Sequence, residues 1–410
     1  MINIHNKYLC CGCEACVQSC PKQCISFKED EEGFLYPQVD KSICIDCGLC
    51  EEVCPVLNQA ETSKTINVYA AKNIKEEELI KSSSGGIFIL LANYILSQGG
   101  VVFGAKFDEN WDVIHAYAET EEGIRAFMGS KYVQSRIGNT YDQARDFLKQ
   151  GRKVLFSGTP CQIAGFKRFL RKDYDNLLTV DVICHGIPSP KVWHRYKDEI
   201  KSNACKEDKT ISNTQAVDKS ADVQIENVSF RDKRISWKEY SFSITIAKPS
   251  VDDKKNTVSL SHIFREDPYM KLFLSNLILR PSCYQCPAKN GKSQSDLTIA
   301  DFWGIERSHP DFDDERGVGL MMVNSEKGMQ VKCLLQLEMM KVSFTDAISG
   351  NPMYTNSVAE PQKRKQCFRL LNNTNKSTEK IIEILYRPSL VTRAKQKIKK
   401  CISSFLRIKM

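Results

Sequence analysis

The first 55 residues carry the same cysteine pattern twice, each time as Cys-x2-Cys-x2-Cys-x3-Cys-Pro. Two-residue spacers let three thiolates converge on one iron–sulfur cube, and the three-residue spacer sends the fourth cysteine to the other cube. The spacing therefore predicts two 4Fe-4S clusters, one on Cys10, Cys13, Cys16 and Cys54 and one on Cys44, Cys47, Cys50 and Cys20. Two clusters held in this way pass single electrons, so the pattern indicates redox chemistry.

A disulfide framework and a zinc site are the alternatives for the same cysteines. Disulfides need an oxidising compartment, and the polar start at residues 1–7 predicts no signal peptide. Zinc sites usually repeat paired cysteines instead of a triplet with a fourth member. The pattern is that of two-cluster bacterial ferredoxins, and we expect a cytoplasmic protein. Cys11 and Cys24 lie outside the pattern and are interpreted as packing residues.

Charge is concentrated at the end of the chain. Residues 363–410 contain 14 Lys or Arg against two Glu, a net charge of +12, whereas the whole chain of 410 residues carries +8. A body of net negative charge argues against nucleic acid as a partner. From Arg393 onward, lysines alternate with apolar residues at helical spacing, so the tail is a solvated terminal helix or else a contact with an anionic membrane surface or an acidic partner.

Between residues 67 and 325, short apolar runs alternate with helical segments. Strands are predicted at 68–71, 101–107, 153–157, 177–183, 297–300 and 318–323, with helices at 87–97, 141–150, 161–170, 190–200 and 267–277. Residues 228–230 and 240–246 are predicted to form a hairpin. This alternation favours an α/β domain with a largely parallel or mixed sheet, following an α+β ferredoxin-like N-terminal domain.

Further chemistry is concentrated at the ends of these elements. Cys161 begins a helix after a strand, Cys184 follows a strand, and Cys283-x2-Cys286-Pro is a compact turn. The carboxyl ends of strands bind ligands in open α/β sheets, so a third metal site and four unrelated buried cysteines both remain open from spacing alone.

Two loops could hold an anion such as a cofactor pyrophosphate. The Ser82–Gly86 turn precedes a helix, with its serines placed as N-caps, and Gly129–Ser135 adds hydroxyl, amide and ammonium groups. Lys131 is the predicted charge partner of the pyrophosphate. A G-x-G-x-x-G motif after a strand is absent from the sequence, so a Rossmann nucleotide site is not supported.

Several phrases occur in a recognisable order: Ser84-Gly-Gly86, Gly158-Thr-Pro-Cys-Gln162, Cys184-His-Gly-Ile-Pro-Ser189, Cys283-x2-Cys286-Pro-Ala-Lys289 and Ala300-Asp-Phe-Trp-Gly304. With them, residues 5–325 resemble the family of coenzyme F-420 hydrogenase/dehydrogenase beta subunits, in the version fused to an N-terminal ferredoxin. The resemblance implies a bound FAD and a third 4Fe-4S cluster in the body. By motif, that cluster would be held by Cys161, Cys184, Cys283 and Cys286, and the predicted flavin contacts are Ser83, Ser84, Gly85, Gly86, Ser130, Lys131, Tyr132, Gln134 and Ser135.

The resemblance implies an oxidoreductase that moves electrons between a hydride-level donor or organic substrate, FAD and 4Fe-4S clusters. The alternative is a non-catalytic electron-transfer subunit of a larger hydrogenase, dehydrogenase or polysaccharide-modifying complex. Expected partners are a redox protein or a small-molecule hydride carrier. The expected division of the chain is a ferredoxin domain at 1–57, a linker at 58–66, a flavin-binding part at 67–150, a part with the third cluster at 151–350 that includes a surface insertion at 202–224, and a basic helical tail at 351–410.

Overall fold

A computed structural model describes residues 1–207, 223–248 and 256–387. Most of the expected insertion at 202–224 and the most basic part of the expected tail, residues 388–410, lie outside these ranges. Thirteen strands are found in the described part of the chain: β1 (Ile25–Glu29), β2 (Leu35–Val39), β3 (Asn67–Asn73), β4 (Val101–Phe107), β5 (Val113–Ala118), β6 (Val154–Gly158), β7 (Leu177–Val182), β8 (Gln224–Asp232), β9 (Ser241–Lys248), β10 (Asn256–Ile263), β11 (Leu297–Asp301), β12 (Gly319–Val323) and β13 (Leu337–Lys341).

The N-terminal unit is small and is organised by its cysteines. It contains the antiparallel pair β1–β2 and two one-turn helices, α1 (Ala15–Gln18) and α2 (Leu49–Glu52). Its apolar cluster joins Ile2 and Ile25 to the buried residues Cys16, Cys50 and Cys54. With so few large apolar side chains, this unit depends on whatever its thiols bind, because a core of this size stabilises little by itself.

One eight-stranded mixed sheet dominates the rest of the chain, in the order β13-β3-β12-β11-β7-β6-β4-β5. The four strands β4, β6, β7 and β11 are parallel, and the flanking strands pair antiparallel. The sequence predicted a largely parallel or mixed sheet, and the observed sheet is mixed. Apolar residues dominate β4 and β6, as is usual for parallel strands, whereas β7 and β11 also carry Thr179, Asp181, Thr298 and Asp301.

Twelve further α-helices lie in the described part of the chain, and the five that the sequence predicts at 87–97, 141–150, 161–170, 190–200 and 267–277 are among them. The twelve are α3 (Glu76–Lys81), α4 (Ile87–Ser97), α5 (Glu121–Arg125), α6 (Thr140–Lys149), α7 (Pro160–Leu170), α8 (Pro190–Glu207), α9 (Pro268–Leu274), α10 (Ile305–Ser308), α11 (Glu326–Lys332), α12 (Phe344–Ser349), α13 (Arg364–Asn373) and α14 (Thr378–Tyr386). No helix in the described ranges is long and apolar enough to cross a bilayer.

Two local details differ from the sequence prediction. The expected hairpin is a three-stranded antiparallel sheet, β10-β9-β8. The serines before α4 do not cap it: Gly86 is the N-cap in a left-handed conformation (φ 71°), and Ser84 donates to the carbonyl of Val318 at 2.8 Å. Ser83 Oγ likewise accepts from the N–H of Ser130, so distant segments of the chain hold the turn, and helix capping does not.

Candidate functional site

The two ferredoxin motifs share one backbone conformation. Gly12 and Glu14 have φ values of 69° and 64°, and Asp46 and Gly48, at the equivalent positions of the second motif, have 51° and 74°. Left-handed residues alternating with right-handed ones turn successive N–H groups toward one side, which is the anion-binding nest used at many iron–sulfur sites. Both loops are therefore shaped for a negatively charged group held by thiolates.

The packing brings cysteines of the two motifs together, and the crossed assignment of the fourth cysteine stays a prediction. Cys20, from the first motif, lines one small cavity together with Cys44, Cys47 and Cys50 from the second. Cys10 and Cys54 are in turn among the charged neighbours that raise the pKa of the Cys16 thiol, after burial itself, which is the largest cause.

Backbone amides support these thiols. The N–H of Ile2 donates to Cys50 Sγ at 3.3 Å, and the N–H of Asp46 donates to Cys44 Sγ at 3.4 Å. Hydrogen bonds of this kind favour thiolates and tune iron–sulfur centres. Cys24 packs beside the second set, with its sulfur 3.3 Å from that of Cys20.

The third cysteine set comes from three separate segments. Cys161 lies in the first turn of α7, Cys184 lies two residues after β7, and Cys283 and Cys286 lie in and directly after the 3-10 helix Pro281–Gln285. Burial raises the pKa of Cys184 to about 12, and Cys161 and Cys286 add to the rise. Burial likewise raises the pKa of Cys283, again with Cys184, Cys286 and Cys161 as neighbours.

All of these cysteines have free thiols. Among the described residues, no group of three or more His, Cys, Asp or Glu is arranged to hold a single metal ion. In a 4Fe-4S cube each cysteine ligates a different iron, so its four thiols stand apart around a large centre. One buried and three partly buried thiols that share one neighbourhood, without a disulfide, have the donor chemistry of such a cube.

The third set adjoins the first ferredoxin motif. The thiols of Cys13 and Cys161 both lie close enough to Cys11 to shift its pKa, and Cys11 in turn raises the pKa of Cys161. A Cβ placed on Gly165 in α7 would lie 2.8 Å from Cys13 Sγ, so α7 approaches the ferredoxin loop as closely as a glycine allows. Cys11, expected only to pack, therefore lies between two proposed ligand sets, which its position in the sequence did not indicate.

Cys184 of the third cysteine set also lines a large cavity. Its volume is about 830 Å³, and it extends along the ends of the parallel strands. Its wall includes all nine residues predicted to contact a flavin: Ser83, Ser84, Gly85, Gly86, Ser130, Lys131, Tyr132, Gln134 and Ser135. The loops that carry them are joined, since the N–H of Ser130 donates to Ser83 Oγ at 2.7 Å. Their role as flavin contacts stays a prediction.

The cavity presents a cation and unpartnered polar atoms. In the part of the chain that the structure describes, Lys131 Nζ donates only to the carbonyls of Met128 and Gly129, at 2.9 and 3.1 Å, and burial lowers its pKa to about 7. His115 is kept neutral because burial lowers its pKa to about 4. Its Nε2 meets the carbonyl of Ser157 at 3.1 Å, while its Nδ1 has no partner. Lys131 can therefore donate to an anionic group of a ligand, whereas Nδ1 of His115 must accept, because Nε2 donates to the carbonyl.

The second sheet contributes a part of the wall that the sequence did not predict. Arg231 of β8 pairs with Asp301 at 2.7 Å and stacks on Tyr240, with its guanidinium carbon 4.0 Å from the ring centroid. Its Nε is buried without a partner. In the sequence, residues 231–233 lie in the connection of the predicted hairpin. Nothing in that local pattern indicates that they lie beside the predicted flavin loops.

The wall of the cavity is tied to the third cysteine set. Gln162, in the first turn of α7 beside Cys161, donates from Nε2 to Ser135 Oγ at 2.9 Å and accepts from the N–H of Thr159 at 2.9 Å. Cys184 itself lies on the cavity wall. The cavity, the third set and the first ferredoxin motif are therefore direct neighbours in that order.

Comparison with known proteins assigns both parts of the chain. Residues 9–58 match the 4Fe-4S dicluster domain, and residues 151–341 match the family described as the C terminus of the coenzyme F420 hydrogenase/dehydrogenase beta subunit. The chain therefore contains a region similar to this family of beta subunits, together with a dicluster ferredoxin domain. The resemblance drawn from the sequence motifs is thereby confirmed.

Individual relatives are distant. The chain is 21% identical over 187 residues to a subunit of the F(420)H(2) dehydrogenase of Methanosarcina mazei, covering 43% of this chain and 53% of that protein. It is 28% identical over 166 residues to the coenzyme F420-dependent sulfite reductase of Methanocaldococcus jannaschii, covering 39% and 25%. Both relatives are oxidoreductases by name, and the chain spans about half or less of their lengths.

One solved structure that matches is the F420-reducing [NiFe] hydrogenase complex of Methanosarcina barkeri. The match covers 78% of this chain and 92% of that one at 15% identity, with a TM-score of 0.41.

Proposed function

We propose that this protein is an iron–sulfur flavoprotein oxidoreductase that moves electrons between a hydride-level donor or organic substrate and one-electron partners. One observation carries the proposal: Cys184 lies on the wall of the 830 Å³ cavity and also neighbours Cys161, whose thiol contacts Cys11 of the ferredoxin unit. A ligand in the cavity would therefore lie beside the third cysteine set, and that set beside the first ferredoxin set.

The residues present fit the groups that this function needs. The three cysteine sets would hold three 4Fe-4S clusters, and the cavity would hold FAD. A flavin exchanges electron pairs as hydride and also single electrons, whereas 4Fe-4S centres carry single electrons. Lys131 is proposed to hold the pyrophosphate charge, and Gln162 fixes the serine loop of the cavity to the start of α7.

A relay subunit without its own catalysis is the second candidate. Cys47 is exposed, and the apolar side chains of Ile43 and Ile45 beside it are 49% and 58% exposed. An exposed ligand beside apolar side chains suits contact with a second redox protein. The two relatives include a protein named as a subunit, which also favours this candidate.

Reduction by small carriers separates the two candidates. Full-length protein, purified and kept under anaerobic conditions, is mixed with reduced deazaflavin, NADH or NADPH, and flavin and cluster absorption is followed. We expect bleaching by at least one carrier with the protein alone. Bleaching only after a partner protein is added would identify a relay protein and contradict the catalytic proposal.

A further inference from the structure

Arg280 is a fully buried cation without an ordinary counter-ion. Its exposed fraction is 0%, and in the described part of the chain no carboxylate forms an ion pair with it. The other two buried arginines there differ, because Arg231 pairs with Asp301 and Arg364 pairs with Glu32. Burying an uncompensated charge is among the most costly changes in folding, so this guanidinium needs a negative partner.

The guanidinium is aimed at the first ferredoxin motif. Its Nε donates to the carbonyl of Cys10 at 2.7 Å, and its Nη2 donates to the carbonyl of Leu35 at 2.9 Å and lies 3.5 Å from Cys10 Sγ. Its Nη1 donates to Gln134 Oε1 at 3.1 Å, and the ring of Tyr36 stacks on it. The buried carboxylate of Glu14 is held by the backbone N–H groups of other residues.

The backbone of Arg280 belongs to the third cysteine set. Its N–H donates to the carbonyl of Ile187 at 2.9 Å, and its carbonyl accepts from the N–H of Cys283 at 2.9 Å. The N–H of Ile187 in turn donates to Cys283 Sγ at 3.3 Å. The loop that carries two proposed ligands of the third cluster thus positions a cation against a ligand of the first.

We propose that Arg280 is the counter-ion of the cluster held by Cys10, Cys13, Cys16 and Cys54, and that it raises the reduction potential of that cluster. The inference rests on the proposed function. A thiolate-ligated cube is an anion whose charge becomes more negative on reduction, so a fixed cation favours the reduced form. A hydrogen bond to a ligating sulfur acts in the same direction.

The test is a redox titration of the full-length, cluster-loaded protein followed by electron paramagnetic resonance. The signal of the first cluster is identified as the one that Cys16→Ser alters. We expect Arg280→Gln to lower its reduction equilibrium constant at least tenfold, which is about 59 mV for one electron. Arg280→Lys, which keeps the charge, should restore most of the shift, and the potential of the cluster ligated by Cys47 should change less.

A second pair of variants decides the question if Arg280→Gln does not hold iron. Gln134→Glu gives the guanidinium a carboxylate partner and should lower the same potential, whereas Tyr36→Leu removes the stacked ring without a change of charge and should leave it near the wild-type value. Unchanged potentials in Arg280→Gln and Gln134→Glu, with all clusters present, would overturn the inference. Wild-type protein without clusters would instead overturn the proposed function on which it rests.

Discussion

At the residue scale, the third cysteine set is defined by side chains that are far apart in the sequence. Cys161 and Cys283 are separated by 122 positions, yet the pKa of each thiol is raised by burial and by neighbouring cysteines. Thiols in this state would be protonated, and cluster binding must remove those protons. Cluster binding at this set is therefore expected to release protons and to depend on pH.

Replacing one of these thiols tests the set. We expect Cys283→Ser to lower the iron content from about twelve to about eight per chain, because only the third cube loses a ligand. The exposed Cys333 provides a control, since Cys333→Ser removes a thiol outside every set. Anaerobic iron analysis makes the comparison, and a Cys283→Ser protein that retains about twelve iron would refute the assignment.

The lowered pKa of Lys131 gives the flavin proposal a pH dependence. Without a ligand its pKa is about 7, and a bound pyrophosphate would raise it. Below pH 7 the ammonium is already charged, whereas above pH 7 binding must take up a proton. We therefore expect FAD affinity for flavin-free protein to be constant below pH 7 and to fall by up to about tenfold per pH unit above it.

Fluorescence titration between pH 6 and 9 measures this dependence. Lys131→Met should bind FAD more weakly and remove the slope. Lys149→Met, which replaces an exposed lysine of α6, should keep the wild-type profile. A slope that persists in Lys131→Met would show that another group carries the proton.

At the element scale, α7 connects the cavity, the third set and the ferredoxin unit. Its first turn supplies Cys161 and Gln162, and its middle supplies Gly165, where a Cβ would lie 2.8 Å from Cys13 Sγ. The capping box of Thr159 and Gln162 fixes where the helix begins, so the positions of these contacts are set together. The sequence predicted this helix, but not the element that it would meet.

The close approach of Gly165 to Cys13 can be tested by the effect of a substitution on the free energy of unfolding. In an open helix position, Gly→Ala stabilises by up to about 1 kcal/mol. Here we expect Gly165→Ala to destabilise the protein by about 1–3 kcal/mol through overpacking, with partial loss of iron. Thermal unfolding of the loaded protein provides the readout, and Arg168→Ala on the same helix should change little. An increase in stability for Gly165→Ala would contradict the described contact.

At the scale of the whole molecule, local patterns in the sequence predicted elements well and contacts poorly. The helix at 87–97 and the strand at 101–107 were predicted with their observed bounds, because their apolar runs end at glycines and polar residues. The antiparallel neighbours β3, β12 and β13 were not predicted as neighbours, since strand order is decided by packing. For the same reason the contact between Arg280 and Cys10, 270 positions apart, left no signal in either segment.

The residues of the candidate site likewise fall into those that a local sequence pattern predicted and those that only the structure revealed. The ferredoxin cysteines could be assigned from spacing because each loop is local. The nine predicted flavin contacts lie on one cavity wall, which the motif order indicated. Arg231 and His115 were missed, because each comes to the cavity from a strand whose own sequence carries no motif for ligand binding.

The content of the purified protein tests the central claim most directly. Full-length protein purified under anaerobic conditions is analysed for iron and flavin per chain. Three occupied cysteine sets and an occupied cavity predict about twelve iron, with one flavin and its absorption band. About eight iron without flavin would contradict the account, because the third cluster and the flavin site would both be absent.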